Sequence, residues 1–275
     1  MYICIFVCFA TKAVHIEVVG NLTAESFIAA LKRFVARRGK PNELFSDCGS
    51  NFVAANKEIN RVVKSLQKEE SIHQYFADEQ IKWHFNPPSA PHFGGIWEAA
   101  VKSAKSHLKR TIGDHKLTLE EFLTLTAQIE SCLNSRPLCP VSDDPAELSA
   151  LTPGHFLVGT ALSSIPEENL LSENISPLKR WQLTQKLFQN FWKRWVNEYI
   201  SSLQQRPKWL REQPNLKIND LVLIKEDNIP PLKWKLGRIQ EVFPSADAKV
   251  RVVSVKTETG TYKRPIHKLS VLPID

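Results

Sequence analysis

Residues 86–95, "NPPSAPHFGG", carry three prolines and two glycines in ten positions, and neither a helix nor a strand runs through such a segment. Everything before it must close its own regular structure, and whatever follows must start afresh. Upstream, "YICIFVCF" (2–9) and "AVHIEVV" (13–19) are rich in β-branched and aromatic residues and read as an antiparallel pair joined at Ala10-Thr11-Lys12. A helix follows, because Thr23 is a cap, Phe27, Ile28, Leu31, Phe34 and Val35 recur at helical spacing, and "ARRGKP" ends in a glycine stop and a proline. The short segment Glu43 to Ser46 reads as a strand, Ile59, Val62, Val63 and Leu66 mark an amphipathic helix, and "IKWHF" (81–85) reads as another strand.

Downstream, a helix is expected from about Ile96 to Arg110. A second opens at Thr118, where Thr118 and Glu121 form a capping box, and stops near Asn134 ahead of "SRPLCP". Residues 137–178 hold many prolines and acidic residues without periodicity and read as an extended connector. Trp181, Leu187, Phe188, Phe191, Trp192, Trp195 and Tyr199 then outline an aromatic helix whose tryptophans are expected in a core. From Lys217 the pattern changes to short strands, "DLVLIKED", "KWKLGRIQEVF", "KVRVVSVKT" and "TYKRPIHKLSVL", the spacing of a small β-barrel or curled sheet. The fold class is α/β, with boundaries expected at 1–136, 137–212 and 213–275.

Charge sharpens this division. Residues 1–160 hold 17 Lys+Arg against 17 Asp+Glu and residues 161–275 hold 19 against 12, so the whole net charge of +7 lies in the later part, which suits a phosphate-bearing or acidic partner. The five cysteines show neither CxxC nor finger spacing, the pattern of a reduced intracellular protein. The opening "MYICIFVCFA" lacks a basic n-region and continues directly into strand-like sequence, so it reads as structure rather than a targeting signal. No stretch is long and apolar enough to span a membrane.

Two carboxylates stand where chemistry is built. Asp47 follows a strand at once, inside "FSDCGSNF", where strand ends in α/β sheets carry sites. On this stretch alone, an Asx-type bond to the Gly49 turn is the better explanation. Glu98 falls in the first turn of the helix released by "PHFGG", a position favoured by the helix dipole alone. Yet Glu98, Lys102, Lys105 and Lys109 share one narrow face, and Trp97, Val101, Ala104 and Leu108 form the adjoining apolar stripe. That arrangement sets a carboxylate beside a row of ammonium groups, as a metal held against a polyanion requires.

"FSDCGSNF", "WHFNPPSAPHFGGIWEAAVKSAKSHLKR", "LNSRPL" and "LTPGHFLVG" together resemble the integrases of Pao-type (BEL/Pao) LTR retrotransposons, relatives of retroviral integrases and DDE transposases. The resemblance extends over nearly the whole chain. It implies an RNase H-like core, an SH3-like DNA-binding region in the tail, nuclear DNA integration and a homo-oligomer acting on element ends and target DNA. It makes Asp47 the second and Glu98 the third carboxylate of a triad holding Mg²⁺ or Mn²⁺. Two such ions activate a water or a 3′-hydroxyl and stabilise the oxygen leaving an in-line phosphoryl displacement. The lysines beyond Glu98 would meet the DNA backbone, and Asn51 matches a position near the site, whereas Cys48 replaces the family's usual Asn.

The family's first Asp has no match, since only Glu17, Glu25 and Glu43 precede Asp47 among acidic residues, and no His/Cys spacing matches its zinc-binding segment. The expectation is a truncated, catalytically dead or nearly dead chain. In the tail, Lys233, Lys235 and Arg238 around Trp234, with Lys263 and Arg264 near Tyr262, alternate basic and aromatic residues as a DNA-facing sheet would, and as a solvated face also would. The rival reading is a domesticated, non-enzymatic module that binds DNA, chromatin or another protein.

Overall fold

The computed structural model describes residues 1–66, 81–86, 105–174, 180–204, 215–226 and 228–272. It is a mixed α/β protein of two compact units, Met1–Ala10 with Val14–Lys105 and Thr11–Ala13 with Ser106–Asp275. Among the described residues no helix is long and apolar enough to cross a membrane.

In the first unit, β1 (Tyr2–Val7) and β2 (Val14–Val19) pair antiparallel, with Tyr2 opposite Val19 and Val7 opposite Val14. Helix α1 (Ala24–Arg38) starts where Thr23 Oγ1 accepts from the Ser26 amide at 3.3 Å, and it ends at Gly39, whose φ of 87° suits glycine. Its buried face is Phe27, Ala30 and Leu31. Then come β3 (Glu43–Ser46), α2 (Ser50–Leu66) and β4 (Lys82–Phe85), with β3 and β4 parallel and Ser46 opposite Phe85. A parallel pair needs a long crossover, which the stretch containing α2 supplies. Phe6, Phe27, Leu31 and Ala55 form one apolar cluster on which Leu44, Phe52 and Trp83 also pack, and this cluster fixes the carboxyl end of β3.

Residues 105–112 form a helix, α3, of which Ser106 onward belongs to the second unit. Helix α4 (Leu119–Asn134) carries the expected capping box: Thr118 Oγ1 accepts from the Glu121 amide at 3.2 Å and Glu121 Oε2 accepts from the Thr118 amide at 2.8 Å. The connector is less featureless than its composition suggests, since β5 (Cys139–Pro140) pairs with β6 (Ala150–Leu151) and α5 (Pro153–Val158) opens on a proline. Helix α6 (Arg180–Leu203) buries Phe188, Phe191, Trp192 and Trp195, but Trp181 is 69% exposed, contrary to its expected core place. Trp181 precedes Thr184, the first buried residue of the helix, and so lies beyond the packed stretch.

Five antiparallel strands close the chain: β7 (Leu221–Ile224), β8 (Leu236–Pro244), β9 (Val250–Thr257), β10 (Gly260–Pro265) and β11 (Leu269–Val271), in the order β10-β9-β8-β7-β11. Their core is Val222, Ile224, Ile239, Val253, Val255 and Leu269. At Gly237 a Cβ would lie 2.5 Å from Val255 Cγ1 and 2.8 Å from the Lys256 carbonyl, so close strand packing demands glycine. Helix α6 joins this sheet to α4: Trp192 Nε1 donates to the Ile229 carbonyl at 2.9 Å, Ser270 Oγ to the Ile200 carbonyl at 3.1 Å and Tyr199 Oη to the Pro137 carbonyl at 2.5 Å. The compact units divide near residue 105, and α4 packs on the aromatic helix α6.

Candidate functional site

Asp47 is exposed at the carboxyl end of β3. Its Oδ1 accepts from the Gly49 amide at 2.9 Å, forming the Asx-type turn, while its second oxygen has no hydrogen-bond partner among the described residues. A Cβ at Gly49 would sit 2.9 Å from Asn51 Oδ1, 3.1 Å from Asp47 Oδ1 and 3.2 Å from Phe52, so a larger residue there would push those two side-chain oxygens aside. Cys48 Sγ donates to the Asn86 carbonyl at 3.1 Å and the Asn86 amide donates to Ser46 O at 2.9 Å, which ties the exits of β3 and β4 together. Trp83 Nε1 donates to Ser46 Oγ at 2.9 Å and holds the residue just before Asp47.

The structure thus brings Asp47 and Asn51 together. Glu98 and Lys102 lie outside the described residues, as do His92 and Phe93. Lys105 and Lys109 are exposed on α3, whereas His107, Leu108 and Thr111 are buried, so the lysines leave the helix away from its packed side. Asp47 and Asn51 offer hard oxygen donors of the kind Mg²⁺ takes. Among the described residues, however, no group of three or more His, Cys, Asp or Glu gathers to hold a metal ion, and these two side chains are too few for a two-metal centre.

The tail residues separate by burial. Lys233 is exposed, Lys235 is ion-paired with Glu226, Lys263 Nζ lies 4.4 Å from the Phe243 ring centre, and the Arg264 guanidinium lies 5.2 Å from that of Tyr262. These cations sit at or near the surface. Arg238 does not: at 3% exposure it donates from Nε to the Glu147 carbonyl at 2.8 Å, from Nη1 to the Asn219 carbonyl at 3.0 Å and from Nη2 to the Ser142 carbonyl. The guanidinium expected on a DNA face is a buried strut, because the connector folds over it. Trp234 is equally committed, edge-on to Trp192 at 5.1 Å and donating from Nε1 to Ser135 Oγ at 3.1 Å. On the β9 side, Arg251 pairs with Asp247 at 2.6 Å and pulls its carboxyl down to about 2.

Two further groups escaped the sequence reading. Glu17 is 3% exposed on β2, with Arg33 Nε donating to it at 2.5 Å, Arg37 Nη1 at 2.9 Å and His15 Nε2 lying 2.9 Å away. Its position in β2 and the run of arginines on α1 were visible, but their convergence was not. Beside it, burial, with the Glu17 charge second, pushes the Cys4 thiol up to about 12. In the second unit, His107 is 2% exposed with Nε2 2.6 Å from Glu198 Oε2, and burial lowers its pKa despite that carboxylate.

Residues 179–272, about a third of the chain, match the sequence pattern of a family of unknown function, DUF5641. The match spans all of α6 and the five-stranded sheet. No curated protein matches. Among solved structures, a simian T-cell lymphotropic virus intasome in complex with PP2A regulatory subunit B56 gamma aligns with 98% of this chain and 72% of its own, at 13% identity and a TM-score of 0.38. A likeness that loose carries no argument about what this chain does.

Proposed function

We propose that the chain is an integrase-type nucleic-acid-binding protein, with an RNase H-like first unit, an SH3-like sheet in the second and little or no strand-transfer activity of its own. The observation that carries this reading is the exposed Asp47 at the carboxyl end of the parallel β3–β4 pair, with Asn51 Oδ1 drawn beside it over Gly49. In this reading Asp47 and Glu98 are the residues that would hold Mg²⁺ or Mn²⁺, an ion that when bound activates a nucleophilic oxygen and stabilises the leaving one. Residues 1–46 contain no Asp to join them. DNA backbone contacts then come from Lys105 and Lys109 on α3 and from Lys233, Lys235, Lys263 and Arg264 at the sheet.

The test combines duplex-DNA binding across salt with 3′-processing and strand-transfer assays in Mg²⁺ and in Mn²⁺. Affinity that falls steeply with salt, without turnover, is the expected result. Binding with no salt slope sinks the phosphate reading, and robust turnover abolished by Asp47→Asn sinks the claim of inactivity. One observation favours the alternative of a domesticated, non-enzymatic DNA-, chromatin- or protein-binding module: Asp47 Oδ1 is already committed to its own turn. In that case Asp47→Asn leaves DNA affinity and its salt slope unchanged.

A further inference from the structure

Glu17 gathers more cations than its burial requires. Its Oε2 accepts from Arg33 Nε at 2.5 Å, and its Oε1 lies 2.9 Å from His15 Nε2. Those two contacts already give each oxygen of the buried carboxylate a partner. Arg37 is additional: its Nη1 donates to Oε1 at 2.9 Å while 60% of its side chain stays exposed. Arg33 is pinned twice, because its Nη2 also donates to the Val18 carbonyl at 3.1 Å. Arg38 Nε donates to His15 Nδ1 at 3.5 Å, which ties a third guanidinium to the same network. Three guanidiniums around one carboxylate leave the cluster positive. Arg33 and Arg37 stand one turn apart on one face of α1, and each holds a different oxygen of the same carboxylate, so their forks are set side by side. Their remaining N–H groups have no partner among the described residues.

We infer that Arg33 and Arg37 form a phosphate-binding site on the first unit that grips a phosphodiester of a nucleic-acid backbone, with Glu17 as the positioning residue. Each planar guanidinium offers paired N–H donors matched to phosphate oxygens. Because a buried carboxylate already fixes both forks, they lose less freedom on binding than two loose side chains would. Glu17 acts on a phosphate in two opposed ways. Its charge repels the anion, whereas its hydrogen bonds hold the arginines that attract it, and the sign of a single substitution tells which of the two prevails.

This inference rests on the nucleic-acid reading above, and one experiment separates the two. The full chain is titrated with a short DNA duplex over a range of salt, as wild type, Arg37→Ala, the Arg33→Ala/Arg37→Ala double variant, Glu17→Gln and Lys32→Ala, each checked by its thermal unfolding midpoint. Lys32 is an exposed cation of α1 outside the Glu17 network and serves as the control. Each lost phosphate contact lowers the steepness of log K against log salt by about 0.9. Arg37→Ala, which leaves both Glu17 oxygens with a partner, is expected to lose about 0.9 and the double variant about twice that, while Lys32→Ala keeps the wild-type slope. Glu17→Gln removes a negative charge and yet is expected to weaken binding about fivefold, the cost of ordering freed arginines. A wild type without slope overturns the general reading. A wild type with slope, matched by an equally steep double variant or by an equal loss in Lys32→Ala, overturns the arginine site alone, and tighter binding by Glu17→Gln overturns the positioning role. Should Glu17→Gln fail to fold, Arg37→Ala decides. Inorganic phosphate at constant ionic strength supplies the last arm: a rise in the wild-type midpoint that the double variant loses while its DNA slope stays intact makes free phosphate the ligand and overturns the backbone assignment.

Discussion

In the first unit a carboxylate is buried among cations, and in the second a guanidinium is buried among carbonyls. Glu17 joins β2 to α1 through Arg33 and Arg37, with His15 beside it on β2, and the two arginine side chains remain 40% and 60% exposed. Arg238 joins β8 to the connector, and its three acceptors are neutral main-chain oxygens. Both satisfy a buried charge, the condition for keeping one at all. They differ in what remains when the charge is taken away. Loss of Glu17 leaves cations that water reaches, whereas loss of Arg238 strands carbonyls under a folded connector. The first arrangement is also open to screening by salt, and the second is not.

Substitutions test that contrast. Arg238→Leu is expected to destabilise the second unit by about 3–4 kcal/mol, because it leaves buried acceptors unmade, and denaturant unfolding should show the loss independent of salt. A loss under about 1 kcal/mol would mean that the connector lifts away and water replaces the guanidinium. Glu17→Gln is expected to cost about 2 kcal/mol, less than Arg238→Leu because its partners stay partly solvated, and the penalty should shrink in ~1 M salt. A penalty equal to that of Arg238→Leu and insensitive to salt removes the distinction between the two networks.

The smallest effect expected is one of pH. Burial holds His107 below its ordinary value of 6.5, so between 6.5 and the lower folded value the unfolded chain binds a proton that the folded chain refuses. Stability from this group is complete above 6.5 and declines as pH falls through that window. His107→Phe should flatten this part of the stability–pH curve of the second unit. If the variant keeps the wild-type slope below 6.5, another group causes it.

Much of the framework was legible in local sequence signals. Thr23 and Gly39 bracket α1, Thr118 and Glu121 start α4, and Glu43 to Ser46 form β3, each set by residues within a few positions of one another. The turn at Asp47 was legible in the same way, since its Asx bond spans two residues. Exposure was harder to read. The aromatic helix places Trp192 and Trp195 inside and Trp181 outside, because periodicity gives the direction of a side chain but not where the neighbouring element ends. Arg238 looked like its surface neighbours Lys233 and Lys235, and nothing local distinguishes it.

What the sequence by itself determined is therefore the order of elements, their caps, the glycine turn that presents Asp47 and the concentration of positive charge in the later part. Short-range hydrogen bonds, side-chain periodicity and composition decide those. Only the tertiary structure decided that Arg238 is a strut, that Glu17 gathers two arginines and that α4 belongs with α6. Those outcomes depend on partners far away in the chain: the carbonyls that hold Arg238 lie 91, 19 and 96 residues from it. A charged side chain stays in water unless such partners arrive together, and their arrival is a property of the fold.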